Sequence, residues 1–258
     1  MSNTALITGA SSGIGMEFAR YHAQKGGDLV IVARRQAPLE ALKRELEAAH
    51  GVQVTVIAQD VGSSEQATDL FKAVKAKGID VDILINNAGF GGFGGFLDRD
   101  LAKDQAMIDL NIAALVSLSH HFGKDMKARN GGKMLQVSST AGFLPGPYQA
   151  VYYATKAFVT SFSQAIDQEL RKDGITSTAL CPGLVHTEFV ASADLEGTGL
   201  AKQKGATAAS VAKCGYDAMM KGALIAINEP SLSFMMNWLI PFLPRRSVLK
   251  MIEKMQTK

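Results

Sequence analysis

Short apolar runs rich in β-branched residues alternate along this chain with longer stretches whose apolar residues recur at helical spacing. Few folds accommodate that order. Seven runs predict strands: Ala5 to Thr8, Leu29 to Ala33, Val52 to Ala58, Val81 to Asn86, Lys133 to Ser138, Thr176 to Cys181 and Ala223 to Ile227. Helices are expected from Met16 to Gln24, Pro38 to His50, Ser64 to Lys77, Asp104 to Arg129 and Tyr152 to Lys172, the last stopped by Asp173-Gly174. Strands alternating with helical stretches mean βαβ units, so the expected class is α/β, a doubly wound parallel sheet flanked by helices.

The 258 residues are 47% hydrophobic, enough for a substantial core, and no Gly/Ser/Pro-rich linker or fixed-period repeat divides them. One domain over residues 1–258 is expected. Lys and Arg number 27 against 24 Asp and Glu, an excess of +3 that is too small for a dedicated nucleic-acid binder. The excess is concentrated: Arg245, Arg246, Lys250, Lys254 and Lys258 face only Glu253, leaving the rest of the chain at −1. Cys181 and Cys214 form no Cys-x-x-Cys pair, and the first residues carry no secretory signal, so a cytoplasmic location is expected. The most apolar stretch, Leu232 to Leu243, is broken by Pro241 and falls short of the roughly 20 residues a membrane span needs.

The first strand runs into Thr8-Gly9-Ala10-Ser11-Ser12-Gly13-Ile14-Gly15 and then a helix. Glycines at such a turn admit a pyrophosphate to the helix N-terminus, where amides and dipole favour negative charge. At the end of the second strand an NAD site would place an acid on the ribose hydroxyl, but the chain has Ala33-Arg34-Arg35. A guanidinium pairs with a 2′-phosphate, so NADP is expected over NAD, with Arg34 the principal partner and Arg35 beside it in a loop.

Tyr152 and Lys156 lie four apart on one helix, so their side chains share a face. An ammonium beside a phenol stabilises the phenolate and lowers its pKa from about 10. Ser139 precedes them at the end of the fifth strand. Gly89 to Phe96, GFGGFGGF, follows the fourth strand; its Phe side chains either line a pocket or plug a sheet edge. The histidines suggest no metal site, because His120 and His121 are adjacent on a helix and no His-Glu-x-x-His occurs.

Taken together, Thr8-Gly9-x-x-x-Gly13-x-Gly15, Asp60-Val61, Asn86-Asn87-Ala88-Gly89, Asn111, Ser138-Ser139, Tyr152-x-x-x-Lys156 and Pro182-Gly183-x-x-x-Thr187 resemble the short-chain dehydrogenase/reductase family, over residues 4 to 190. The resemblance implies a Rossmann sheet, a nicotinamide cofactor and a homodimer or homotetramer. It makes Tyr152 the proton donor or acceptor and Ser139 the partner of the substrate oxygen. Lys156 would bind the nicotinamide ribose and hold down the Tyr152 pKa, while Asn111 would position a water joining Lys156 to solvent. Gly9, Ser11, Ser12, Gly13, Ile14 and Gly15 would cradle the pyrophosphate, and Asp60 and Val61 the adenine. Asn87, Ala88 and Gly89 would run along the cofactor, Pro182 and Gly183 would bracket its nicotinamide, and Thr187 would meet the carboxamide or the phosphates. Asn86 and Ser138 are read as structural and Tyr153 as a packing residue. The family's NADP-preferring members often carry a basic residue before the second glycine; here that position is Ser12.

The expected activity is hydride transfer between NADP(H) and a lipophilic small-molecule carbonyl or alcohol: a 3-oxoacyl compound, a steroid-like molecule or another ketone or aldehyde. A non-enzymatic dinucleotide-binding sensor or scaffold is the alternative, disfavoured because a sensor needs no proton-transfer group. Glu188 to Ala212, rich in small residues, is expected to form a mobile lid over the substrate. The element from about 232 to 258, Trp238 included, is expected to cover the substrate mouth or an oligomer interface, with plain packing on its own domain as the alternative. Peripheral membrane contact ranks behind these, since Pro241 and Pro244 interrupt any continuous amphipathic helix.

Overall fold

The computed structural model describes residues 3–257, so Met1, Ser2 and the tail cation Lys258 lie outside the described residues. Seven parallel strands form one sheet in the order β3-β2-β1-β4-β5-β6-β7. They are β1 (Thr4–Thr8), β2 (Asp28–Ala33), β3 (Val54–Ala58), β4 (Ile83–Asn86), β5 (Gly132–Val137), β6 (Ile175–Leu180) and β7 (Ile225–Ala226). The helices between them are α1 (Gly13–Gln24), α2 (Gln36–His50), α3 (Ser64–Ala76), α4 (Leu101–Ile108), α5 (Leu115–Ala128), α6 (Ala150–Leu170), α7 (Glu188–Ser192) and α8 (Ala208–Met220). Two more, α9 (Pro230–Phe234) and α10 (Arg245–Gln256), follow β7.

The continuous apolar character of the strands follows from burial on both faces. Ala5 and Ile7 of β1, Leu29 and Ile31 of β2, and Ile83 and Ile85 of β4 pack with Phe18 of α1, Leu42 of α2 and Met219 of α8. The alternate residues Leu6, Val30, Val32 and Leu84 pack with Leu70 of α3 and Phe122 of α5. Register holds this alternation together, with Leu6 opposite both Val30 and Leu84. A slip by one residue would exchange the two faces. β1 has β2 on one side and β4 on the other, so the chain reverses its winding there and opens a crevice beyond the strands' carboxyl ends.

Several predicted boundaries move. The stretch from Asp104 to Arg129 is not one regular helix, because a π-helical segment at Asp109–Ala114 separates α4 from α5. Pairing begins at Val54 and Ile83 rather than at Val52 and Val81, and β7 shortens to two residues. The expected lid also ends earlier: Ala208 to Ala212 already belong to α8, and Val211 and Ala212 are buried against the sheet. Gly174, at φ 74°, closes the turn after α6 where Asp173-Gly174 had predicted a stop.

Candidate active site

A cleft of about 1500 Å³ opens at the carboxyl ends of the strands. Of the residues assigned to cofactor or catalysis from sequence, all but Gly15 and Asn111 line it. Gly15 lies beneath, where a Cβ would stand 2.3 Å from the Gly9 carbonyl oxygen, so its role is to bring α1 close to the end of β1. Gly9 itself turns the chain at φ 69°, a conformation that L side chains resist. Asn87 fastens the next strand to this turn: its Nδ2 donates to the Thr8 carbonyl at 2.9 Å, and Thr8 Oγ1 accepts from the amides of Asn87 and Ala88. Ser12 caps α1 through its backbone only, leaving the first-turn amides without a side-chain acceptor.

Tyr152 and Lys156 come from the first turns of α6, and both are buried within the cleft wall. Burial pushes the Tyr152 phenol well above its ordinary pKa, and the adjacent Ser139 hydroxyl opposes that rise. Burial also lowers Lys156, to about 8. In this arrangement Lys156 is bonded to the backbone. Its Nζ donates to the Val137 carbonyl at 2.9 Å and stands 5.8 Å from the Tyr152 ring centroid, so the ammonium is directed at the end of β5. Asn111 is likewise engaged elsewhere. Its amide grips the backbone of Phe90, accepting from the amide at 3.2 Å and donating to the carbonyl at 3.0 Å, and also donates to Thr155 Oγ1. The π-helical segment that carries Asn111 aims it at the strand end, a use for which such irregular turns recur at functional sites.

Ser138 donates to the Lys156 carbonyl at 2.8 Å, and Asn86 Nδ2 reaches Ser119 and Gln136, so both have structural partners. Of the Gly-rich loop, Phe90 and Phe93 face the cleft while Phe96 is exposed. Arg99 fixes this loop by donating to the Phe93 carbonyl and pairing with the buried Asp104 at 2.7 Å. At the other end, Arg34 is exposed at the cleft edge. Arg35 spans the opening, donating to Ser11 Oγ at 3.3 Å and to Glu188 Oε2 at 2.8 Å. Thr187, with its hydroxyl accepting from the Phe189 amide, caps α7 beside Gly13. His186 does not line the cleft, its Nε2 lying 3.1 Å from the Gln203 carbonyl.

The C-terminal residues supply the remaining wall. Met235, Met236 and Ile240, together with Met251, Ile252 and Met255 of α10, line the cleft near Tyr152 and Tyr153. Trp238 is turned away from it and is 67% exposed. A buried amide chain ties α10 to the start of α6. Gln149 Nε2 donates to Gln256 Oε1 at 2.8 Å, and Gln256 Nε2 donates to the Tyr153 hydroxyl at 3.0 Å.

The sequence matches the family model described as short chain dehydrogenase over residues 3–196. The chain belongs to this family. It is therefore an oxidoreductase of a family that binds nicotinamide cofactors and acts on small-molecule substrates. Serine 3-dehydrogenase of Agrobacterium fabrum is 38% identical over 192 residues, covering 73% of this chain and 74% of that protein. A short-chain dehydrogenase from Sphingobium yanoikuyae, solved with NADPH, superposes with a TM-score of 0.82 at 28% identity, covering 94% and 96% of the two chains. The bulky-bulky ketone specific alcohol dehydrogenase of Comamonas testosteroni gives a TM-score of 0.78 at 26% identity, covering 94% and 95%.

The short-chain dehydrogenase cleft fits a nicotinamide dinucleotide chemically. The first-turn amides of α1 can meet a pyrophosphate, and Ser11, Arg34 and Arg35 offer donors farther along the same wall. Two features escaped the sequence reading. The sequence marks Glu188 only as part of a lid, since nothing local identifies a carboxylate that pairs with Arg35 across the cleft. Gln149 and Gln256 are uncharged, belong to no motif and meet only through the tertiary fold.

Proposed function

We propose that this chain is an NADP(H)-dependent oxidoreductase that interconverts a lipophilic carbonyl compound and its alcohol. The observation that carries the reading is the buried Tyr152 phenol, with Ser139 beside it, where the polar cofactor wall meets the apolar Met-lined wall. The cofactor, when bound, supplies or accepts the hydride. Tyr152 gives a proton to the carbonyl oxygen in reduction and takes one from the alcohol in oxidation, and Ser139 hydrogen-bonds the same oxygen. Lys156 holds a ribose hydroxyl, through which its charge can act on the phenol that it does not touch directly. Asn111 contributes by fixing the Phe90 backbone and is the residue assigned to the proton path. Gly9, Ser11 to Gly13 and Ile14 bind the pyrophosphate, Asp60 and Val61 the adenine, and Asn87 to Gly89 the middle of the cofactor. Pro182, Gly183 and Thr187 take the nicotinamide end. Arg34 and Arg35 give the preference for a 2′-phosphate. The segment from Glu188 to Thr207 forms the substrate lid, as part of a single domain.

Support for a bulky apolar substrate comes from the Met235, Met236, Ile240, Met251 and Met255 wall, because thioether chains adapt to irregular ligands. The similarity to the Comamonas enzyme points the same way. Cofactor oxidation is measured across a panel of ketones and aldehydes with NADPH and NADH, using wild type and Tyr152→Phe. Turnover of apolar ketones with NADPH, lost by about 100-fold or more in the variant while cofactor binding persists, is the expected result. Turnover unaffected by the substitution would reject Tyr152 as the acid. NADPH binding without turnover of any carbonyl would favour a sensor.

A further inference from the structure

The segment that closes the cleft has a second face. Met236 and Ile240 are buried inward against the cluster around Tyr152 and Tyr153, whereas Phe234, Trp238, Leu239, Phe242 and Leu243 are exposed outward. From Asn237 to Ser247 every residue except Ile240 is exposed. Pro241 and Pro244, which broke the helical pattern in sequence, turn the chain into a corner between the π-helical segment Met235–Leu239 and α10. Directly after the corner, α10 carries exposed Arg245, Arg246, Lys250 and Lys254 against the single carboxylate of Glu253.

We propose that this corner docks the protein on an anionic membrane surface. Trp238 and Phe242 would enter the boundary between headgroups and acyl chains, and the cations at the start of α10 would meet the lipid phosphates. Two observations favour this occupant over a second copy of the chain. The apolar corner and the cationic helix are contiguous, the combination that binds an anionic interface. A two-fold dimer through the corner would set Arg245 and Arg246 of each copy close to those of the other, with one Glu253 per chain to offset them. Attachment is peripheral, since no helix among the described residues is long and apolar enough to cross a membrane. The break at Pro241 and Pro244 is the feature that projects the aromatic residues from the surface.

The chain's sole tryptophan, Trp238, reports on the outcome. The full chain is titrated with phosphatidylcholine vesicles and with vesicles containing phosphatidylglycerol, following Trp238 emission and flotation. Anionic vesicles should shift the emission to the blue and carry the protein upward, and neutral vesicles should do so far less. Phe234→Ser/Phe242→Ser retains the reporter, and Arg245→Glu/Arg246→Glu tests charge; each should weaken binding by about tenfold or more. These side chains lie outside the core, and unchanged thermal melting and cofactor binding establish that the variants fold. Absence of flotation with anionic vesicles, or equal flotation with both kinds, would overturn the proposal. So would a lipid-independent blue shift that follows protein concentration and accompanies a dimer on sizing, which would assign the corner to a second copy.

Discussion

Arg35 and Glu188 join across the cleft at the strands' carboxyl ends, Nη2 to Oε2 at 2.8 Å, so a residue following β2 is tied to the first residue of α7. Both side chains are largely exposed, and an exposed pair contributes about 0–1 kcal/mol to stability. Its larger consequence concerns the ligand. Hydrogen bonding from Arg35 holds the Glu188 carboxyl below its usual pKa, and that carboxylate competes with a 2′-phosphate for the guanidinium. Glu188→Gln should tighten NADPH relative to NADH by roughly fivefold, or about 1 kcal/mol, with little change in melting temperature. Fluorescence titration of both reduced cofactors measures the ratio; an unchanged ratio would remove Arg35 from the phosphate site.

Arg34, exposed at the same edge, should dominate the preference between cofactors. Arg34→Asp replaces a phosphate partner with a repelling charge and should weaken NADPH by about tenfold or more, leaving NADH nearly unchanged. The same titration checks this. Retention of the wild-type ratio would transfer the role to Arg35.

Lys156 should make stability depend on pH in a defined window. Burial lowers its pKa from 10.5 to about 8, so between those values the unfolded chain binds more protons than the folded one. Stability from this group therefore rises with pH across the window, and the full penalty for holding a buried ammonium is present below it. Lys156→Met removes the penalty together with the Val137 hydrogen bond. At pH 7 the variant should be more stable by on the order of 2 kcal/mol while losing activity, and its advantage should disappear as pH rises through the window. Urea denaturation of both proteins across the window gives the difference directly. A constant difference would mean that Lys156 is not buried as a charged group at neutral pH.

Gln256→Leu should destabilise the protein by about 1–3 kcal/mol, because it leaves the Gln149 amide without its acceptor and the Tyr153 hydroxyl without its donor. Gln149→Leu/Gln256→Leu should recover part of that loss by removing both amides together. Denaturant midpoints for the two variants test the coupling, and a double variant no more stable than Gln256→Leu would argue against it.

Much of the fold was legible because each signal was local. Alternating side chains on β1, β2 and β4 made the strands apolar on both faces, and the spacing of Tyr152 and Lys156 placed them on one helical face. The direction of Lys156 Nζ was not legible, since it depends on the Val137 carbonyl, a neighbour supplied by β5. The π-helical segment at Asn111 was hidden for a similar reason: its apolar spacing resembles that of an ordinary helix, while the contacts that hold Asn111 come from Phe90 and Thr155. At the C-terminal end, the prolines predicted interruption correctly, but only the tertiary fold divides Met236 inward from Trp238 outward.

The bond between Tyr153 and Gln256 joins residues 103 positions apart. A ribosome adding about 5–20 residues per second makes the hydroxyl several seconds before it makes the amide that will bond it. Through that interval the start of α6 lacks its α10 partner, and the apolar residues that will form the far wall of the cleft have not all been synthesised. Strands β1 to β5 precede Tyr153 in the chain and can pair during this time. Closure of the wall that α10 contributes must wait until that helix is made, and through the interval the start of α6 stays open to chaperones and proteases.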